Sequence, residues 1–145
     1  MNIVRLEKEH ITECTRIYIE TFNGEPWNDR WTEATAGKRL DDIYNAPGFI
    51  GMVAIADDSI KGAVFGNIES WYEGSMYNLK EMFVTKGEKG TGIGSKLFES
   101  LEQELKDQGV TSLTLFTSKG DLTEKFYQKN GCMTEEDMVM MGKEV

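Results

Sequence analysis

The 145-residue chain is 39% hydrophobic and 10% aromatic, which suits one ordinary domain with its own core and argues against disorder. Its formal net charge of −9 speaks against a nucleic-acid or anionic-membrane partner and for attraction of cations, although surplus carboxylates also serve plain solubility. Two distant cysteines, Cys14 and Cys132, and one histidine, His10, suggest no metal centre or disulfide framework. The longest apolar run, residues 48–56, is too short to cross a bilayer and the N-terminus lacks a leader pattern, so a single cytoplasmic domain over residues 1–145 is expected.

Taken in chain order, residues 2–6 alternate and predict a first strand. Ile11, Cys14, Tyr18 and Phe22 recur at steps of three and four, one face of a first helix, with His10 in a surface or capping position at its start. Residues 22–31 read as a loop from their Gly, Pro and Asn content, yet carry Phe22, Trp27 and Trp31. Such aromatics either line a site or fold back as lids on the core. Thr32 is placed to cap a second helix with apolar positions Ala36, Leu40, Ile43 and Tyr44, which must stop before Pro47. Residues 49–56 and 60–71 predict an antiparallel hairpin about the turn 57–59. A second turn, around Tyr72 to Gly74, leads into a central strand over residues 77–84.

After a glycine-rich loop, Ile93, Leu97, Leu101 and Leu105 step by four along a helix running from Ser95 and ended by Gly109. Residues 111–117 predict the next strand, and strand–helix–strand implies a right-handed parallel crossover. Asp121 and Glu124 have capping-box spacing for a short helix that carries Phe126 and Tyr127 and stops at Gly131. Met138-Val139-Met140-Met141 reads as a last strand.

The loop Lys89-Gly90-Thr91-Gly92-Ile93-Gly94 bares backbone amides at a helix start, an anion site suited to a phosphorylated cofactor. The dinucleotide pattern GxGxxG fails, because its third glycine would fall at Ser95 or Leu97. The ATP-loop pattern fails as well, because Gly94 is followed by Ser95 and Lys96. The segment resembles the acyl-CoA-binding motif of the GNAT N-acetyltransferases, usually Gln/Arg-x-x-Gly-x-Gly/Ala, with Lys89 keeping the charge of the first position. Phe126-Tyr127-Gln128-Lys129-Asn130-Gly131-Cys132 looks like that family's Phe/Tyr-Tyr-x-Lys-x-Gly-Phe, with Cys132 replacing phenylalanine and Gly120 standing where asparagine is frequent.

The resemblance implies a mixed α/β (α+β) fold, a sheet of six or seven strands with helices on both faces, and acetyl-CoA as cosubstrate. Its contacts would be Phe83, Val84, Lys89, Gly90, Thr91, Gly92, Ile93, Gly94 and Ser95, with the central strand splayed at Phe83 and Val84 so that both can pair with the thioester end. Asn23-Gly24-Glu25-Pro26-Trp27-Asn28 with Trp31-Thr32 is reminiscent of the aminoglycoside 6′-N-acetyltransferase-like branch.

Acetyl transfer to an amine needs a neutral amine, a stabilised oxyanion and a fate for the thiolate. Glu81 is the candidate base: strand alternation would put it in an apolar row with Leu79 and Phe83, where burial raises a carboxyl pKa. An ion pair with a lysine or arginine from a neighbouring strand, or a strand-edge place in water, is the alternative, and Asn78 or Lys80 occupy registers where some relatives carry the glutamate. Glu25 and Asp29 could assist through water. By resemblance, Tyr127 faces the CoA sulfur as the acid, though a phenol is a weaker acid than a thiol. The expected acceptor is a small cationic amine, aminoglycoside- or polyamine-like, bound by Trp27, Asp29 and Trp31 and attacking directly in a ternary complex. A homodimer is compatible with this reading. A peptide or protein amine as acceptor, and a CoA-sensing or partner-binding domain without turnover, are the alternatives.

Overall fold

The computed structural model describes residues 1–145. Strand β1 (Asn2–Arg5) is followed by a 3-10 turn (Lys8–His10), helices α1 (Ile11–Phe22) and α2 (Glu33–Tyr44), and strands β2 (Phe49–Ala56), β3 (Ser59–Trp71) and β4 (Gly74–Val84). A second 3-10 turn (Lys86–Glu88), α3 (Ile93–Asp107), β5 (Ser112–Thr114) and α4 (Leu122–Lys129) complete the order. The five strands form one sheet in chain order, antiparallel from β1 to β4, with β5 parallel to β4.

Local chemistry sets the helix ends. Thr32 Oγ1 accepts from Thr35 N (3.1 Å) at the start of α2, as its position predicts. His10 Nδ1 accepts from Glu7 N (2.9 Å) and so caps the turn ahead of α1. Asp121 Oδ1 caps α4 by accepting from Leu122 N, not from Glu124 N, and Glu124 accepts from Gly120 N and not from the cap residue, so the expected reciprocal box is not made.

Two apolar layers sandwich the sheet. On one face Ile11, Cys14, Ile17 and Tyr18 of α1 and Ala36, Leu40 and Ile43 of α2 pack on Val53, Ala63, Phe65 and Phe83. On the other, Ile93, Leu97, Phe98, Leu101 and Leu105 of α3 pack on Ile50, Met52, Val64, Tyr77 and Leu79. Each Val, Leu, Ile, Phe or Met among them contributes about 1.5–3 kcal/mol when fully buried. Gly66 makes one crossing of the sheet feasible: a Cβ there would stand 2.3 Å from Asn78 O and 2.4 Å from Tyr77 Cζ. Through that gap the Tyr77 hydroxyl donates to Ile50 O (2.6 Å).

The sheet has five strands, not six or seven. Residues 138–141 form no strand, and Met138, Val139, Met140 and Met141 are all exposed. Strand β5 spans three residues instead of seven, so its outer edge gives a sixth strand almost no ladder to extend. No helix is long and apolar enough to cross a membrane.

A register shift in β4 also alters the expected facing. Phe65 pairs with Glu81 and Gly66 with Leu79, which leaves Lys80 as the extra residue of a bulge. One inserted residue reverses the alternation beyond it. Leu79 therefore lies on the α3 face, whereas Phe83 packs under α1 and α2. Glu81 shares its face with Phe83 but not with Leu79.

Candidate active site

Strands β4 and β5 pair only at Met76–Ser112, Tyr77–Leu113 and Asn78–Thr114. Beyond Asn78 they separate, so β4 from Leu79 to Val84 has β3 on one side and no strand on the other. Thr85 N donates to Lys61 O across β3 (2.9 Å), and Phe83 is paired with Ala63 in the same ladder. Backbone groups of an extended chain alternate sides. The Phe83 amide therefore turns towards β3 with that of Thr85, and the Val84 amide turns towards the opening. Of the two residues expected to pair with a thioester, Val84 has the amide for it; Phe83 supplies its ring to the core beneath.

At the same end of β4, the glycine loop enters α3 through two left-handed glycines, Gly90 (φ 81°) and Gly92 (φ 88°). A side chain would be strained at either. Gly92 is the N-cap, and no side chain caps the helix. The amides of Ile93, Gly94 and Ser95 precede the first intrahelical bond, Lys96 N to Gly92 O, and stand at the positive end of a 15-residue helix. A pyrophosphate fits such a set of donors, and exposed Lys89 adds a positive charge beside it. Phe126 of α4 packs where a Gly94 side chain would be, with ring carbons 3.1 Å from that Cβ position, which ties α4 to the loop.

Tyr127 follows, with its ring 5.1 Å from Phe126 and 6.0 Å from Phe98. Burial first, then the nearby Cys132 and Glu81, push its phenol above the ordinary value. It remains protonated at neutral pH, able to donate a hydrogen bond and reluctant to give up its proton.

Across the strand, the Tyr18 hydroxyl and the Arg39 guanidinium face the Glu81 carboxyl, with Arg39 Nη2 3.5 Å from Glu81 Oε1. Burial pushes the Glu81 carboxyl up; Tyr18 and Arg39 pull it back, and the charge of Asp29 adds a smaller upward push. The alternative foreseen for Glu81, an ion pair, is thus present, with a partner from α2 and not from a neighbouring strand. Glu81 keeps 15% of its side chain exposed, so it is desolvated yet still reached by solvent.

The loop before α2 is clamped by Asn23, whose side chain accepts from Trp31 N (2.8 Å) and donates to Trp31 O (2.9 Å). Trp31 packs edge-on to Tyr18 (5.1 Å) and its indole donates to Asp29 Oδ2 (3.0 Å). Trp27 leans on Phe22 (5.0 Å) beneath the Lys89 ammonium. Trp31 is thus a lid on the core rim, and Trp27 joins the loop to the glycine loop. Glu25 and Asp29 are exposed.

The sequence marked Tyr18 only as a core position of the first helix and Asn23 only as part of the loop motif, and did not mark Arg39 at all. Arg39 had one usable signal: it lies three residues after Ala36 and four before Ile43, on the rim of the α2 apolar stripe.

The pattern of the Acetyltransferase (GNAT) family matches residues 11–132, and the chain belongs to that family. It is accordingly an acyltransferase with acetyl-CoA as cosubstrate, for which the loop amides and Lys89 fit the pyrophosphate. No curated protein sequence matches the chain. Among solved structures it is similar to an aminoglycoside acetyltransferase from an uncultured soil metagenomic sample in complex with sisomicin, at 18% identity and a TM-score of 0.78 over 99% of this chain and 95% of that one. It is also similar to an aminoglycoside 6′-N-acetyltransferase of Acinetobacter haemolyticus, at 14% identity and a TM-score of 0.78 over 100% and 99%. A Vibrio cholerae integron cassette protein shares 20% identity and a TM-score of 0.81 over 99% and 92%. At these identities the likeness is one of fold.

Proposed function

We propose that the chain acetylates a primary amine of a small cationic acceptor, aminoglycoside- or polyamine-like, by direct attack in a ternary complex. The observation that carries this is the opening beside Val84. It lies between an uncapped, glycine-lined helix start on one side and Glu81, Asp29 and the Trp27 and Trp31 rings on the other. A phosphorylated acyl donor and a cation suit the two halves respectively.

In this reading Asp29, one of whose carboxylate oxygens is free of the indole bond, and the loop aromatics hold the ammonium. Glu81 takes its proton directly or through water. The neutral nitrogen attacks the thioester carbon, a C–N bond forms as C–S breaks, the developing oxyanion meets the Val84 amide, and the second proton of the nitrogen passes to the departing sulfur, which leaves as the thiol. The Tyr127 hydroxyl donates a hydrogen bond to the departing sulfur, a role its raised pKa suits better than full proton donation.

Release of free CoA thiol by the purified chain tests this, against a panel of aminoglycosides, polyamines, amino acids and short peptides. Amine-dependent release with a polycation supports the reading. Release confined to peptides moves the acceptor to that class. No release from a chain that binds acetyl-CoA leaves a CoA-sensing domain.

A further inference from the structure

We propose that Tyr18 and Arg39 are positioning residues that hold the Glu81 carboxylate towards the opening beside β4. The inference rests on the reading of Glu81 as the base. Glu81 follows directly after the bulge residue Lys80, and a bulge re-aims the side chains next to it at the cost of local pairing. A glutamate there has several rotamers of comparable energy and needs fixing from outside its own strand.

The two helices on that face supply the fixing. The Tyr18 ring is 2% exposed and is held by Phe22, Trp31 and Phe83 at 4.8, 5.1 and 5.6 Å. Its hydroxyl position is therefore set by the core. Arg39 projects from α2, which is anchored by fully buried Ala36 and Leu40, and its Nη2 meets Glu81 Oε1 at 3.5 Å. This is one long contact and not a two-bond fork, so it restrains the carboxylate without occupying both oxygens. Asp29 from the loop and Tyr127 from α4 complete the groups that feel this charge. A pair kept only for stability would gain little at a site where Arg39 is 41% exposed. Its use is to keep a desolvated carboxylate ionised and aimed.

The experiment is a carbon-13 titration of glutamate carboxyls in the full chain, with Glu81→Gln identifying the Glu81 resonance. It is repeated for Arg39→Gln, Arg39→Lys and Tyr18→Phe. Loss of either positioning group should move the Glu81 midpoint upward, and Arg39→Lys should stay near wild type. The acid limb of kcat/KM should move the same way, lowering the rate on that limb roughly three- to tenfold while acetyl-CoA affinity by calorimetry holds. A midpoint unmoved in both Arg39→Gln and Tyr18→Phe overturns the proposal. A midpoint that moves while Glu81→Gln retains the wild-type acid limb leaves the positioning intact and removes Glu81 as base.

Discussion

The Lys89 ammonium sits 5.2 Å from the centroid of the Trp27 ring, so the glycine loop and the loop before α2 touch through one cation–aromatic contact. Close by, a Cβ at Gly24 would come within 3.2 Å of Lys86 Nζ, a second point at which the two loops meet. The two halves of the opening are therefore not independent surfaces.

Replacing Lys89 with alanine should weaken acetyl-CoA binding roughly 3- to 30-fold, the range for losing one charge-assisted contact. Trp27→Ala should mainly raise the acceptor KM. A double-mutant cycle read by calorimetry should return a coupling of about 0.5–1 kcal/mol, typical of an exposed cation–aromatic pair. A coupling of zero would mean that the contact transmits nothing.

Glu81→Gln should lower kcat/KM roughly 100-fold or more if the carboxylate is the base, without lowering stability. Folding pushes this carboxyl pKa up, so the native state disfavours its ionised form. That loss is absent below the unfolded carboxylate range and sets in as pH rises through it. The melting temperatures of the two proteins should hence draw apart between acid and neutral pH, with the variant becoming the more stable.

Tyr127→Phe separates catalysis from binding. The ring contacts with Phe98 and Phe126 survive the change, so acetyl-CoA affinity should stay within about twofold. Loss of the hydroxyl should cut kcat roughly 10- to 100-fold, as expected for one hydrogen bond made in the transition state. An unchanged kcat would make this tyrosine an anchor of α4 and nothing more.

Stability should fail at high pH. Burial raises the Cys14 thiol from 9.0 to about 12 and pushes the Tyr18, Tyr77 and Tyr127 phenols up as well. Groups that hold protons more tightly when folded stabilise the protein below their unfolded values, and that stability is lost as pH rises towards the folded ones. Urea midpoints should be level through neutral pH and decline from about pH 9 upward.

Gly66→Ala tests the crossing of Tyr77. The added methyl would meet backbone at 2.3 Å, and strands β3 and β4 would have to part. A loss of about 2 kcal/mol or more is expected, read as a fall in melting temperature of roughly 5–10 °C. An equal loss in the Tyr77→Phe background would place the strain on the backbone and not on the hydroxyl bond to Ile50.

Most helices were legible from periodicity alone. Ile11 to Phe22 and Ala36 to Tyr44 fall at helical spacing beside recognisable caps and breakers, and the observed α1 and α2 follow them. The motif Lys89 to Gly94 likewise carried its own meaning, because an anion site of backbone amides depends on which residues lack side chains, a local property. The tail did not behave this way: four apolar residues suggest a strand, but a strand exists only where a neighbour offers a ladder, and β5 is too short to offer one.

The candidate base shows the same division. That a carboxylate lies on the central strand could be read from the sequence; its face, its partners and its freedom could not. A bulge at Lys80 reversed the alternation, so Leu79 lies on the opposite face and Glu81 points instead to Tyr18 and Arg39. Nor did the sequence indicate that Val84, and not Phe83, has its amide free. By itself the sequence determined the helices, the first four strands and the glycine-rich entry to α3, all governed by residues within a few positions of each other. The tertiary structure decided register, splay and the groups that meet at Glu81. Those depend on how separate segments pair, and one inserted residue in a strand changes every side chain beyond it.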